Sequence, residues 1–209
     1  MGFSALKKIA NRIEPAQQIG RLKLRRGEMA VSRGLEQALD DYLVLLAQSG
    51  SEEAFARLVA RWTPKLLAFA ARTLGTTEAA KDVVQDTWES AVRGLKRLED
   101  PARFGPWLYA IASRKCTDAL RSKYRHARNV AALAETPAET AESNADASLD
   151  LAAALKLLPP EQRVVVSLFF GEDMSIADIA AATGVPPGTV KSRLFAARKA
   201  LRARFGEVK

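Results

Sequence analysis

Residues 171–205 read GEDMSIADIAAATGVPPGTVKSRLFAARKALRARF, and the spacing inside this stretch decides the fold. Ser175 followed three residues later by Asp178 is a capping-box pair that opens a short helix with Ile176, Ile179 and Ala180 turned inward. Gly184 makes the turn, Val185 plugs the corner, and Pro186 and Pro187 lead into a second helix. The buried stripe of that helix is Val190, Leu194, Ala197 and Leu201. Its exposed positions are Thr189, Lys191, Ser192, Arg193, Phe195, Arg198, Lys199, Arg202 and Arg204, none of them acidic. The pattern is a helix-turn-helix whose last helix suits a DNA major groove. Lys191, Ser192 and Phe195 are expected at base edges, and Arg193, Arg198 and Lys199 at phosphates. A helical hairpin used for protein contact is the competing reading.

Upstream, LAAALKLLPPEQRVVVSLFF (151–170) supplies one helix ending at Pro159 and another starting near Pro160 and Glu161. Residues 151–209 then make a module that buries only about 60% of its unfolded surface and is marginally stable by itself. Residues 129–150 precede it and carry Glu135, Glu139, Glu142, Asp146 and Asp150 with no basic residue. Such a stretch cannot bury enough apolar surface to offset the entropy of ordering. It reads as a flexible acidic linker spanning roughly 25 Å on average, rather than as a long loop inside one domain.

The chain of 209 residues carries 32 Lys plus Arg against 24 Asp plus Glu, a formal charge of +8. That excess points to a polyanionic partner, nucleic acid before acidic lipid. No apolar run is long enough to span a bilayer, so no membrane insertion is expected. One cysteine, Cys116, and one histidine, His126, leave no disulfide and no zinc site, and no cofactor or small-molecule substrate is expected. Residues 1–35 hold eight basic and two acidic side chains. Phe3, Leu6, Ile9 and Ile13 fit one helical face, yet Gly20, Gly27 and Gly34 punctuate the residues after it. Residues 1–35 read as a basic N-terminal extension. Residues 1–28 are expected to be flexible, with Met29 a candidate start of the functional chain.

Residues 36–128 read as a helical module. Leu39, Leu43 and Leu46 fit one stripe, and Phe55, Leu58, Val59 and Trp62 another. Ser51 is the expected cap of the second helix, which Pro64 should end or kink before Leu66, Leu67 and Phe69 resume the stripe. Gly75 closes it, and Thr76 or Thr77 caps the next helix. In that helix, about residues 78–95, Val83, Val84, Thr87, Ala91 and Leu95 face a core. Asp82, Asp86 and Glu89 share another face with Gln85 alongside, a carboxylate row whose bland reading is a solvated surface. No His, Lys or metal-ligand cluster converges on it, so a catalytic carboxylate pair is not expected. A further helix comes after Asp100 and Pro101, with Pro106 in its first turn and Trp107, Leu108, Ile111, Ala112 and Leu120 on its apolar side. Its other side carries Arg114, Lys115, Arg121, Lys123, Arg125 and Arg128, with Tyr109 and Tyr124 for stacking, a combination suited to opened nucleic acid. Cys116 reads as a small core side chain.

Four stretches in this order, AFARLVARWTPKLLAFA (54–70), DVVQDTWESA (82–91), FGPWLYAIASRKCTDALR (104–121) and the run from Leu158 to Arg202, resemble a bacterial extracytoplasmic-function sigma factor. The resemblance covers about residues 36–205. It implies an all-α chain of two small helical domains, a region 2 bundle over 36–128 and a region 4 helix-turn-helix over 151–209, joined by the acidic linker. The implied function is that of a polymerase specificity subunit, not an enzyme, working in the cytoplasm as an alternative regulator. Its implied partners are core RNA polymerase, through the β′ clamp helices and the β flap, promoter DNA and an anti-sigma factor.

Under the same resemblance, Asp82, Gln85, Asp86, Trp88 and Glu89 dock on the polymerase. Lys96, Arg103, Trp107, Tyr109, Arg114, Lys115, Arg121 and Lys123 recognise and melt the minus-ten element. Thr189, Lys191, Ser192, Arg193, Phe195, Arg198 and Lys199 read the minus-thirty-five element. The acidic linker lies where template strand or nascent RNA later runs. Two positions depart from the usual pattern, Arg114 for a frequent Asn and Ala196 for a frequent Arg. The alternatives from other classes are a sigma mimic that sequesters an anti-sigma factor without touching DNA, and a dimeric helix-turn-helix repressor, which would need a dimerisation heptad that the sequence lacks.

Overall fold

The computed structural model describes residues 26–133 and 153–205, and contains no strand among them. The helices are α1 (Arg26–Gln48), α2 (Glu52–Leu74), α3 (Thr77–Gly94), α4 (Phe104–Leu133), α5 (Pro160–Val166), α6 (Ile176–Thr183) and α7 (Pro187–Phe205). A helical stretch at 153–157 precedes α5, and a π turn, Ser167–Gly171, comes after it. The described residues divide into two compact units, one within Met1–Trp62 and Val92–Phe104, the other within Thr63–Ala91 and Gly105–Lys209.

In the first unit, α1 is held by its polar side chains as well as by its core. Two short 3-10 turns, Leu95–Arg97 and Pro101–Arg103, come after α3, and Gln48 Nε2 ties α1 to the first by donating to the carbonyls of Leu95 at 2.9 Å and Leu98 at 2.7 Å. Arg61 donates to buried Asp40 at 2.7 Å. Leu43, Val44, Leu58, Val59 and Leu95 are buried, and Trp62 meets Phe104 edge-on at 5.5 Å. The expected α1 stripe is shifted: Leu43 is buried, but Leu39 is 41% exposed and Val44 takes the inward place. The helix also begins at Arg26 and runs without a break through Gly27 and Gly34, against the expectation that they punctuate this stretch. Residues 1–25, including Phe3, Leu6, Ile9 and Ile13, lie outside the described residues.

Local signals fix the helix ends. Ser51 Oγ accepts from Ala54 N at 3.2 Å, as a cap should. Gly75 stops α2 with φ of 78°, a left-handed conformation that favours glycine. Pro64 does not end α2, which is one helix from Glu52 to Leu74. An internal proline costs about 3 kcal/mol. Leu66 and Phe69 just beyond it are fully buried. Each such side chain contributes about 1.5–3 kcal/mol when removed from water, so burial carries the helix past the proline.

The second unit contains the rest of α2, α3 to Ala91, α4 from Gly105, and α5 to α7. Val83, Val84, Thr87 and Ala91 of α3 are buried as the period requires, with Leu66, Phe69, Leu108, Ala112, Cys116 and Leu120. Helix α4 continues to Leu133, so the first five residues of the expected linker are helical. Residues 134–150 of that linker lie outside the described residues. In the C-terminal module, Leu155, Leu158, Val166 and Ala197 form a core with Leu194 and Leu201 packed on it. Ser175 Oγ accepts from Asp178 N at 3.1 Å and Gly184 has φ of 68°, the cap and turn that the spacing requires.

Candidate nucleic-acid interface

Three surfaces carry the residues that the sequence singles out. On α7, Lys191, Ser192, Phe195, Arg198 and Lys199 are exposed, with Phe195 at 71%, while Thr189 and Arg193 are half-buried. Val190 and Ala197 anchor the opposite side at zero exposure. Ser192 Oγ donates back to Thr189 O at 3.0 Å, which leaves its lone pairs outward. The result is a rigid helix with cations, a hydroxyl and an aromatic ring on one face. Such a face can meet both phosphates and base edges.

On α3, Asp82, Gln85 and Asp86 are exposed and Glu89 is half-buried, so the carboxylate row exists as a surface. Gln85 Nε2 approaches Glu89 at 3.5 Å and Lys115 Nζ lies 3.7 Å from Asp86. Trp88 is not part of that surface. It is 6% exposed, and its indole N–H donates to Thr63 Oγ1 at 3.0 Å. Its place is underneath the row, where it fixes α3.

The basic side of α4 is arranged differently from the reading of its composition. Lys123 and Arg114 are exposed, Lys115 and Trp107 are half-buried, and Lys96 and Arg103 are exposed in the two 3-10 turns of the first unit. Tyr109, expected to offer its ring for stacking, is 5% exposed and lies edge-on to Phe69 at 5.5 Å. Its hydroxyl donates to Glu172, which also accepts from Arg72. Arg121 donates to Glu161 through Nη2 at 2.7 Å and Nε at 3.1 Å. Tyr124 Oη donates to Lys156 O at 3.2 Å and accepts from Arg163 at 3.0 Å. Several of the α4 groups are therefore already engaged inside the chain.

Electrostatics derive from this packing. Burial pushes the Glu172 carboxyl above its ordinary range, against the pull of Tyr109 and Arg72. Burial and the neighbouring carboxylate push the Tyr109 hydroxyl up. Partial burial also works against Glu161, but a backbone hydrogen bond and Arg121 hold its carboxyl below the usual value. Buried Cys116 is pushed up to about 12, and so is no reactive thiolate. No group of His, Cys, Asp and Glu among the described residues could hold a metal ion.

Four residues that matter here carry no flag in local spacing. Arg72, Glu161, Arg163 and Glu172 read as surface charges along the chain. Only Arg163 offers a hint, as a lone base within the apolar run of α5. The residue is 3% exposed, and its guanidinium donates to the carbonyls of Thr73 at 3.2 Å, Leu158 at 3.2 Å and Lys156, besides the Tyr124 hydroxyl. Burial lowers its pKa, and carbonyl dipoles stand where a carboxylate would normally be.

The family models for Sigma-70 region 2 and Sigma-70 region 4 match residues 58–126 and 148–201. RNA polymerase sigma factor CarQ of Myxococcus xanthus is 36% identical over 168 residues, covering 77% of this chain and 94% of the relative. ECF RNA polymerase sigma factor SigM of Mycobacterium tuberculosis is 33% identical over 174 residues, covering 83% and 88%. Among solved structures, CnrH in complex with the cytosolic domain of CnrY matches with a TM-score of 0.59 and 32% identity over 82% of this chain and 99% of that one. Sigma factor RpoE of Bartonella quintana, in complex with the anti-sigma factor NepR, matches with a TM-score of 0.59 and 25% identity over 74% and 98%.

Proposed function

Because the chain belongs to the extracytoplasmic-function family of RNA polymerase sigma factors, we propose that its exposed acidic row and its basic recognition helix are the two ends of one task. The chain binds core RNA polymerase and directs it to promoters. Asp82, Gln85, Asp86 and Glu89 meet a basic surface on the polymerase clamp, with Trp88 bracing the helix from inside. Lys191, Ser192 and Phe195 read bases of the upstream element, and Arg193, Arg198 and Lys199 hold its phosphates. Trp107, Arg114, Lys115, Arg121 and Lys123 of α4, with Lys96 and Arg103 in the turns before it, handle the opened minus-ten strand, while Tyr109, buried against Phe69, holds α4 in place. Unpairing it costs a few kcal/mol, which stacking and phosphate contacts offset.

The factor does no covalent chemistry of its own; the polymerase catalyses. It works in the cytoplasm, and no helix among the described residues is long and apolar enough to cross a membrane. An anti-sigma factor is its regulator, a reading supported by its likeness to RpoE, solved with the anti-sigma factor NepR, and to CnrH, solved with the cytosolic domain of CnrY. The observation that carries this reading is the coexistence of an exposed acidic face on α3 and an exposed, wholly non-acidic DNA face on α7. A mimic that only captured an anti-sigma factor would have no use for the second.

Run-off transcription with core polymerase and genomic promoter fragments tests it. The intact chain should yield discrete transcripts. Asp86→Arg should fold normally by circular dichroism and no longer copurify with polymerase. Retention of that variant on the polymerase would show the docking surface to lie elsewhere.

A further inference from the structure

Helix α1 is packed on one side only. Leu43 and Val44 are buried in the core of the first unit and Asp40 is held by Arg61, but Leu35, Tyr42 and Leu45 are each more than half exposed, and Leu39 stands with them. With half-buried Leu46 they form one apolar stripe along about 15 Å of the helix. Scattered exposed leucines need no explanation, whereas a contiguous row points to something that covers it. At the helical period Glu36 borders the stripe on one side and Asp41 on the other, and Gln37 donates to Asp41 at 2.7 Å.

A matching row exists in the same chain. Phe3 to Ile13 and Leu35 to Leu45 both span eleven residues, so in helical form the row of Phe3, Leu6, Ile9 and Ile13 is as long as the stripe. Lys7 and Arg12 border that row as Glu36 and Asp41 border the other, with the opposite charge. Pro15 and Gly20 come next, residues suited to a chain that leaves a helix and doubles back. The 12 residues between Ile13 and Arg26 reach about 40 Å when extended, and Leu35 lies only about 14 Å along α1 from its start. A second copy fits worse, because it would set Glu36 and Asp41 against the same two carboxylates.

We propose that residues 3–13 dock as an amphipathic helix, antiparallel to α1, on the stripe from Leu35 to Leu45. Tethering makes this an intramolecular step at an effective concentration on the order of millimolar, so modest contacts suffice. The docked segment backs the helix whose Gln48 and Gln37 donate to the turns of Lys96 and Arg103, Gln37 reaching Ala102 O at 3.3 Å. It is then a working part of the first unit and not a lead-in to a start at Met29.

Hydrogen exchange of the full-length chain, read by mass spectrometry on peptides covering residues 3–13, tests the docking. Exchange there should be about tenfold slower than in Leu39→Gln with Tyr42→Gln if about nine-tenths of the molecules are docked. Both positions face solvent, so that variant should keep its circular dichroism, and Ile9→Gln, on the segment itself, serves if it does not. Lys7→Glu with Arg12→Glu should abolish the slowing, and adding Glu36→Lys with Asp41→Lys should restore it. Equal exchange in the unmodified chain and in these variants overturns the docking. So does slowing that depends on protein concentration, which assigns the stripe to a second copy, or slowing seen only with phosphatidylglycerol vesicles, which assigns the segment to a lipid surface. Loss of copurification with core polymerase in Leu39→Gln with Tyr42→Gln, exchange being unchanged, gives the stripe to the polymerase instead.

Discussion

Helices α4 and α7 are both basic and both carry aromatic rings, and DNA contacts are proposed for both, yet their side chains are deployed in opposite ways. On α7 the ring of Phe195 stands in solvent with Lys191, Arg198 and Lys199 around it. On α4 the ring of Tyr109 is buried, Arg121 is paired with Glu161, and Lys115 leans on Asp86. Composition alone gives the two helices the same description. What separates them is whether a complementary group elsewhere in the chain reaches the face first.

The sharpest break of this comparison replaces the two rings. Tyr109→Ala should destabilise the fold on the order of 3–5 kcal/mol, the usual range for deleting a large buried ring. Phe195→Ala should leave the thermal midpoint nearly where it was while weakening upstream-element binding. Equal midpoints for the two variants would mean that Tyr109 is a surface side chain after all.

A second experiment stays on α7. Lys191→Ala should change which bases are preferred in the upstream element, by about 1–3 kcal/mol of discrimination. Arg198→Ala with Lys199→Ala should weaken all sequences alike and reduce the salt slope by about two. A shift in base preference from the double variant, with none from Lys191→Ala, would exchange the assigned roles. The smallest effect concerns the inner side of α4. Cys116, its thiol raised to about 12 by burial, should resist alkylation at neutral pH until denaturant opens the fold. Ready labelling in the native state, read by mass spectrometry, would place that side in solvent.

The helix-turn-helix is legible because its signals are local. A cap at Ser175, a left-handed Gly184 and apolar residues at helical spacing lie within one short stretch, and each has a single structural meaning. The carboxylate row of α3 is legible for the same reason. Trp88 falls between Thr87 and Glu89, and it is the family resemblance, not the helical period, that puts it on the docking surface. The Thr63 hydroxyl that receives its N–H is 25 residues away, which no helical period can report. The deployment of α4 is hidden more deeply still. Its partners lie 40 residues off for Arg121 and 63 for Tyr109, and the companion Arg72 is 100 residues from Glu172. Pro64 reads as an end or kink because its local cost is visible in sequence, whereas the burial of Leu66 and Phe69 that outweighs it is tertiary.

Arg163 carries a consequence for anyone who would build hybrids of such proteins. Its guanidinium draws acceptors from both halves of the chain, the Thr73 carbonyl and the Tyr124 hydroxyl from one, the Leu158 carbonyl from its own. A graft that joins this C-terminal half to a foreign N-terminal half therefore strands a cation whose planar fork was shaped for this particular set of oxygens, and lysine, a point charge on a flexible stem, is no substitute for it.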